Sequence, residues 1–202
     1  MVAAAVTETL LEAALAHVVS ELKRLNQPFA LVGGIAVSIR AEVRFTRDVD
    51  LAIAVEGDAR VEALVRELRG VGYEVAALVE HESQKRLATV RLASPSGYVV
   101  DLIAASCGIE PEVVERATPI AFTGSGDLRV ARAEELLAMK ILSMTDRRPQ
   151  DRMDATNLVL VNETLDLPAV RDNLNLITDR GFHRNQDLAA KLAALLEDIA
   201  RG

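Results

Sequence analysis

The sequence predicts a mixed α/β fold, a sheet flanked by helices and followed by a helical C-terminal part. Three observations carry this. Short apolar runs bounded by turn residues, such as residues 29–32 and 51–55, alternate with helical periodicity through residue 130. The turn Ser94-Pro95-Ser96-Gly97 joins two strand-like runs, 85–93 and 98–104, as a hairpin would. From Ala131 onward the pattern is helical only. That shift divides the chain into a residue 1–130 α/β core and a residue 131–202 helical subdomain.

The elements follow in order. Residues 7–25 read as a helix capped by Thr7, with Leu11, Leu15, Val18, Leu22 and Leu25 on one stripe and His17 off it, at the surface. Asn26-Gln27-Pro28 stops it. Residues 29–32 form a first strand, Gly33-Gly34 start a short helix to Arg40, and residues 48–55 form a second strand. A helix over 59–68 turns Val61, Leu64, Val65 and Leu68 inward and closes on Gly70. Strands follow at 73–79, 85–93 and 98–104, then a short helix at 111–116. Short strands at 119–122 and 128–130 flank a Gly124-Ser125-Gly126 turn. Helices at 132–145, 150–161, 168–180 and 185–200 complete the chain, with Arg147-Arg148-Pro149 as a break and Met139, Met144 and Met153 as core fillers.

Bulk properties narrow the function. The 202 residues are 50% hydrophobic, enough for one sizeable core. A formal charge of −7 argues against a broad, sequence-independent grip on nucleic acid, although a local basic cleft remains open. One cysteine, Cys107, excludes an internal disulfide, reads as a small buried residue, and makes a cytoplasmic setting the default. No apolar run approaches the roughly 20 residues that span a bilayer. The alanine-rich N-terminus carries Glu8 and Glu12 and no basic region, so it reads as an amphipathic helix and not as a signal peptide.

The stretch from Leu31 to Val55 carries the chemistry. Alternation places Asp48 and Asp50 on one strand face and Val49, Leu51 and Ile53 on the other. Two carboxylates side by side repel and resist burial, so they call for a cation, and a hard divalent ion such as Mg²⁺ or Mn²⁺ suits oxygen donors while leaving room for phosphates. A third acid, Asp101, interrupts an otherwise apolar strand, as a paired structural residue or as part of the same metal site. Lys140, beside Met139 and Ile141, either lays its stem along an apolar face or offers a cation to a ligand. Asp151 and Asp154 begin a helix, where the dipole alone favours acids, and for Asp154 that is the reading adopted. Arg44 and Arg47 solvate a loop or join Arg147 and Arg148 in a basic mouth. His81 and His183 have polar neighbours and read as surface residues.

Gly33-Gly34, Asp48-x-Asp50 and a later strand aspartate, Asp101, stand in the order of the DNA polymerase β-like nucleotidyltransferase superfamily. More narrowly, GG…RFTRDVDLAI and ELLAMKILSMTDRRPQDRMDATNLV resemble the AbiEii-type toxin nucleotidyltransferases, the MenT-like toxins of type IV toxin–antitoxin pairs. The resemblance spans roughly residues 28–161, and the ordered set is far more specific than any one motif. It implies a nucleotidyltransferase-like mixed sheet. It also implies Asp48, Asp50 and Asp101 as ligands of two metals about 4 Å apart. Asp101 would accept the acceptor's proton, Lys140 would stand by the triphosphate, and Gly33, Gly34, Arg44, Thr46 and Asp151 would line the nucleotide site. One departure stands out: many superfamily members have Gly-Ser where this chain has Gly33-Gly34. Backbone N–H groups at the helix start must then hold phosphate without that serine.

The leading expectation is therefore a transferase moving an NMP from an NTP to an acceptor. The acceptor is RNA, such as a tRNA 3′ end, or protein, and an antitoxin is the partner. The scarcity of aromatics, with no Trp, two Tyr and four Phe, weakens an extended RNA-stacking surface. Two alternatives are nucleotidylation of a small molecule such as an aminoglycoside and a non-catalytic nucleotide- or partner-binding module.

Overall fold

The apolar runs of the sequence meet at the centre of a mixed sheet. The computed structural model describes residues 2–122 and 126–202. Among these, seven strands form one sheet in the order β3-β4-β5-β2-β1-β7-β6. The strands are β1 (Phe29–Leu31), β2 (Asp48–Ile53), β3 (Glu74–His81), β4 (Arg86–Ala93), β5 (Val99–Ile103), β6 (Thr118–Phe122) and β7 (Gly126–Val130). The helices are α1 (Val2–Arg24), α2 (Gly33–Arg40), α3 (Asp58–Gly70), α4 (Glu110–Arg116), α5 (Ala133–Ser143), α6 (Pro149–Val161), α7 (Leu167–Asp179) and α8 (Leu188–Arg201). The expected mixed sheet with flanking helices is what the chain forms. No helix among the described residues is long and apolar enough to cross a membrane.

Two pairings set up the site. β2 runs antiparallel to β1, so the chain leaving β1 turns at Gly33 beside the start of β2. β2 also runs parallel to β5, with Asp50 opposite Asp101. On the other face of β2, Val49, Leu51 and Ile53 are fully buried. One continuous apolar cluster joins Leu15, Val18 and Leu22 of α1 to Leu51, Leu102, Leu136, Leu142, Leu158 and Leu192. It runs from the strands into the C-terminal helices without a break at residue 131. Arg40 reinforces that junction: its Nε donates to the Ala131 carbonyl at 2.9 Å and its Nη2 to the Val130 carbonyl at 3.0 Å.

Some expectations need correction. The first helix begins at Val2, so Thr7 lies within it and cannot be its cap. Met153 is no core filler but 58% exposed. The buried face of α6 is formed by Asp151, Asp154, Ala155 and Leu158, and Met153 projects from the opposite side. Met144 is buried and Met139 packs partly against the core. Of the expected 124–126 turn, Gly124 and Ser125 lie outside the described residues, and Gly126 opens β7.

Candidate active site

Residues opposite each other on neighbouring strands share a face. Asp50 pairs with Asp101, and Asp101 pairs in turn with Arg91 on β4. The three therefore form a row across β2, β5 and β4, with Asp48 two residues along from Asp50 on the same face. Arg91 grips Asp101 with both arms: Nε donates to Oδ1 at 2.9 Å and Nη2 to Oδ2 at 2.7 Å. The alternative of a paired structural Asp101 is thus realised in this structure, while its place beside Asp50 is also as the metal reading requires.

The glycine turn supports Asp50 from below. Gly33 has a φ of +63°, and a Cβ there would come within 1.9 Å of Asp50 Oδ2. Only glycine combines that backbone conformation with so close an approach. Burial, first of all, and then the neighbouring Asp101 raise the Asp50 carboxyl to about 6; Lys140 opposes this, Asp48 adds to it, and the Gly34 N–H lowers it. Asp50 keeps a little solvent surface, on the side of the cleft it lines.

Gly34 meets the other side of the site. A Cβ there would lie 2.7 Å from Thr46 Oγ1 and 2.8 Å from Arg44 Nη2. This accounts for the glycine where a serine was to be expected, because the Thr46 hydroxyl already fills the space. The 41–47 loop is fixed by Ser38, whose Oγ donates to the Gly34 carbonyl at 3.0 Å and accepts from the Arg44 N–H at 3.2 Å. Arg47 caps the ring of Phe45, with its guanidinium carbon 5.3 Å from the centroid.

Lys140 lines the cleft with its amine held by two carboxylates. Its Nζ lies 2.7 Å from Asp151 Oδ1 and 2.8 Å from Asp154 Oδ2. Arg44 Nη2 donates to Asp154 Oδ2 at 2.9 Å, and Gln150 Nε2 donates to Asp154 Oδ1 at 2.9 Å. Asp154 is 1% exposed. Burial raises its carboxyl, but hydrogen bonds from Lys140 and Gln150, the Lys140 charge and Arg44 together outweigh this and hold it below the ordinary range. The helix-dipole reading of Asp154 is therefore corrected: it is the hub of an ion-pair network joining α5, α6 and the 41–47 loop. Arg148 Nε stands 2.9 Å from Asp151 Oδ2 without the alignment of a hydrogen bond, so that buried oxygen keeps an unfilled lone pair.

All the sequence-predicted site residues converge. Gly33, Gly34, Arg44, Thr46, Asp48, Asp50, Asp101, Lys140 and Asp151 line one cleft of about 600 Å³. Arg147 and Arg148 complete its basic mouth, together with Arg47. Among the described residues, no three His, Cys, Asp or Glu side chains form a ready-made metal cage. The donor set still fits Mg²⁺ or Mn²⁺, since such an ion needs only one or two carboxylates when phosphate oxygens and waters supply the rest. Asp48 and Asp50 provide those two, and Asp101 becomes a third only when Arg91 lets go.

The sequence reading missed Arg91, although the signal was present. Ser94 N donates to the Tyr98 carbonyl at the hairpin turn, and counting outward from that pair brings Arg91 opposite Asp101. It also misplaced His81, which is buried at 9% exposure because the 181–185 segment covers it, with Phe182 edge-on at a ring distance of 4.7 Å.

The family described as "Nucleotidyl transferase AbiEii toxin, Type IV TA system" matches residues 15–199. No curated protein sequence matches the chain. Among solved structures, the antibiotic-resistance factor ANT(2'')-Ia aligns with a TM-score of 0.51 at 16% identity, over 96% of this chain and 99% of that one. An antigenic nucleotidyltransferase-like protein from Paracoccidioides brasiliensis aligns at 0.49 and 21% identity, over 91% and 92% of the two chains. MenT4, a nucleotidyltransferase toxin from Mycobacterium tuberculosis H37Rv, aligns at 0.39 and 15% identity, over 94% and 93%. At these identities the first of the three speaks for the fold.

Proposed function

This chain belongs to the AbiEii nucleotidyl transferase toxin family of type IV toxin–antitoxin systems, and on that premise we propose that it transfers an NMP from an NTP to an acceptor hydroxyl. The acceptor's O–H loses its proton, an O–Pα bond forms, the Pα–O–Pβ bond breaks, and pyrophosphate leaves. The acceptor is RNA, such as a tRNA 3′ end, or protein; the partner is an antitoxin, and the setting is cytoplasmic. Residues 1–130 act as the transferase core, and residues 131–202 as a helical subdomain supplying Lys140 and Asp151.

One observation carries this reading: Asp48, Asp50 and Asp101 share a sheet face beside the Gly33-Gly34 turn, in a cleft that also receives Lys140. Phosphoryl chemistry asks for charge neutralisation and positioning more than for covalent help. Asp48 and Asp50 would hold Mg²⁺ or Mn²⁺, which when bound neutralises charge on the triphosphate and the leaving pyrophosphate. The N–H groups at the start of α2, apart from that of Gly34, which is given to Asp50, would face the phosphates, as helix N-termini do. Thr46 offers there the hydroxyl that a serine after Gly33 offers in related proteins. Arg44 and Lys140, held in place by Asp154 and Asp151, line the cleft where the phosphates would lie. Asp101 takes the acceptor's proton once Arg91 turns from it towards phosphate. The presence of all three acids disfavours a purely binding role.

The test is incubation with each labelled NTP and Mg²⁺, offering total RNA, protein lysate or aminoglycosides as acceptors. Label is expected in RNA or protein, with Asp48→Asn folded but inactive. Label found only on aminoglycosides would move the reading to small-molecule modification. No transfer to any acceptor, or full activity in Asp48→Asn, would overturn it.

A further inference from the structure

Of the cations that line the acidic cleft, Arg44, Lys140 and Arg148 are paired with Asp154 or Asp151, whereas Arg91 is paired with a member of the acidic row. Its fork takes both oxygens of Asp101, the geometry in which arginine and carboxylate bind most strongly. The two partners differ in freedom. Asp101 is buried on β5, while the Arg91 side chain keeps 46% of its surface. Rotation about its own bonds is therefore enough for the guanidinium to leave, and Asp101 stays where it is.

Arg91 also has somewhere to go. It lines the first cleft and a second one, of about 1070 Å³, that opens on the β3–β4 side of the row. Its neighbour on β3 is Ala77, and Thr89 stands two residues along β4; both line that second cleft. Short side chains thus flank the stem of Arg91. The first cleft is where phosphates would lie, and a guanidinium fork fits phosphate as well as it fits carboxylate.

Neither a divalent ion nor an NTP alone gives both partners a new companion. An ion that takes Asp101 forfeits the fork and sends Arg91 away without an anion. A triphosphate that takes Arg91 leaves Asp101 buried without a cation, the costly way to break such a pair. When both arrive, Arg91 passes to phosphate and Asp101 to the ion, and the number of opposite-charge contacts is kept. We propose that Arg91 is a positioning residue that makes assembly of the site conditional on this exchange, so that Asp101 is released to the reaction only when metal and NTP are present together. The exchange rests on the transfer reading above and adds to it an order: the donor nucleotide must be in place before Asp101 can serve an acceptor. The free protein is held closed by one side chain, and its grip on metal and its grip on NTP are coupled through that side chain in both directions.

The experiment measures Mn²⁺ binding by electron paramagnetic resonance, first without nucleotide and then with the α,β-methylene analogues of the four NTPs, in parallel with the transfer assay above. Arg91→Gln removes the charge but keeps an amide donor for the buried Asp101, so that no acceptor is stranded. Without nucleotide it is expected to bind Mn²⁺ roughly tenfold more tightly than wild type. Adding Asp101→Asn to it should cancel the gain, while Asp101→Asn alone should change the wild-type affinity by less than about twofold, because Arg91 already withholds that carboxylate. With the analogue bound, the gap between wild type and Arg91→Gln should close. Should Arg91→Gln fail to fold, Arg91→Lys, which keeps the charge and loses the fork, is expected to show a smaller gain with the same dependence on Asp101. Equal Mn²⁺ affinity in wild type and the Arg91 variants, or a gain that survives Asp101→Asn, with transfer intact, overturns this inference alone. A wild type that binds no Mn²⁺ even with an analogue present overturns the transfer reading and this one with it. The expected pattern in a protein that labels no acceptor upholds the exchange and strikes the transfer reading.

Discussion

Asp154 and Asp50 sit a few side chains apart, joined through the reach of Lys140, yet their charges are answered in opposite ways. Asp154 has a lysine, an arginine and a glutamine amide within 2.9 Å. Among the described residues, no Lys or Arg forms an ion pair with Asp48 or Asp50, and the neighbour of Asp50 across the sheet is another acid. One set of acids is matched by cations and binds three chain segments together. The other is short of positive charge and faces a cleft. A carboxylate that the fold leaves uncompensated is where a cation from outside has something to do, and such perturbed groups gather at functional sites.

The largest effect is expected from breaking the matched set. Asp154→Ala leaves the partly buried Arg44 without its anion and Lys140 with Asp151 alone. Removing one partner of a buried pair typically costs about 3–5 kcal/mol. The denaturant midpoint of this variant should fall sharply at pH 7. Because the folded Asp154 carboxyl is held below its ordinary 3.8, its contribution is present at neutral pH and disappears as pH drops below about 4. A midpoint within error of wild type at pH 7 would mean that the network is ornamental and that the contrast with Asp50 is false.

Asp50→Asn should do the reverse. The folded pKa of about 6, against 3.8 unfolded, means that the folded protein binds a proton more readily. Its stabilising contribution is complete below about pH 4 and is lost as pH rises through 6. A shift of this size corresponds to on the order of 1–3 kcal/mol, so Asp50→Asn is expected to be more stable than wild type at pH 7.5 by that order. At pH 4 the two should match, because protonated Asp50 is already neutral. Urea unfolding at both pH values measures the difference, and transfer should be lost in the variant throughout. Equal stability at pH 7.5 would show that something else in the fold answers the Asp50 charge.

Much of this contrast was legible in sequence, for reasons that differ residue by residue. Asp48 and Asp50 declared themselves because strand alternation is local and two acids on one face are anomalous within it. The Gly33-Gly34 turn was visible because it punctuates an apolar run. Asp154 looked ordinary because acids near a helix start need no partner, and its partner Arg44 lies 110 residues away. His81 looked exposed because its neighbours in sequence are polar, whereas the segment that buries it lies far along the chain, around Phe182. Local pattern reveals which residues are unusual; which distant side chain answers them is a property of the packed chain. Arg91 lies between these cases, since hairpin register brings it to Asp101 over ten residues.

Gly34 is where the two sets of acids touch, and it gives the smallest and most discriminating test. Its N–H faces Asp50, while the place of its missing Cβ lies within 2.8 Å of Thr46 and of Arg44, which holds Asp154. Gly34→Ser must push aside a short hydroxyl on a fixed loop and the tip of an ion-paired arginine. Overpacking of this kind costs about 1–3 kcal/mol, or a Tm lowered by roughly 2–12 °C, the lower end applying if the arginine yields, as a flexible tip can, before the backbone does. NTP affinity is expected to fall a few-fold, because two hydroxyls then compete for one space. Adding Thr46→Ala to Gly34→Ser clears that space and leaves a single hydroxyl beside the helix start. If the double variant recovers both Tm and NTP affinity, then Thr46 fills here the role that serine fills in related proteins, and the loop that carries it couples the matched acids to the uncompensated ones. If Gly34→Ser alone binds NTP as tightly as wild type with an unchanged Tm, the loop gives way freely and the two sets are independent.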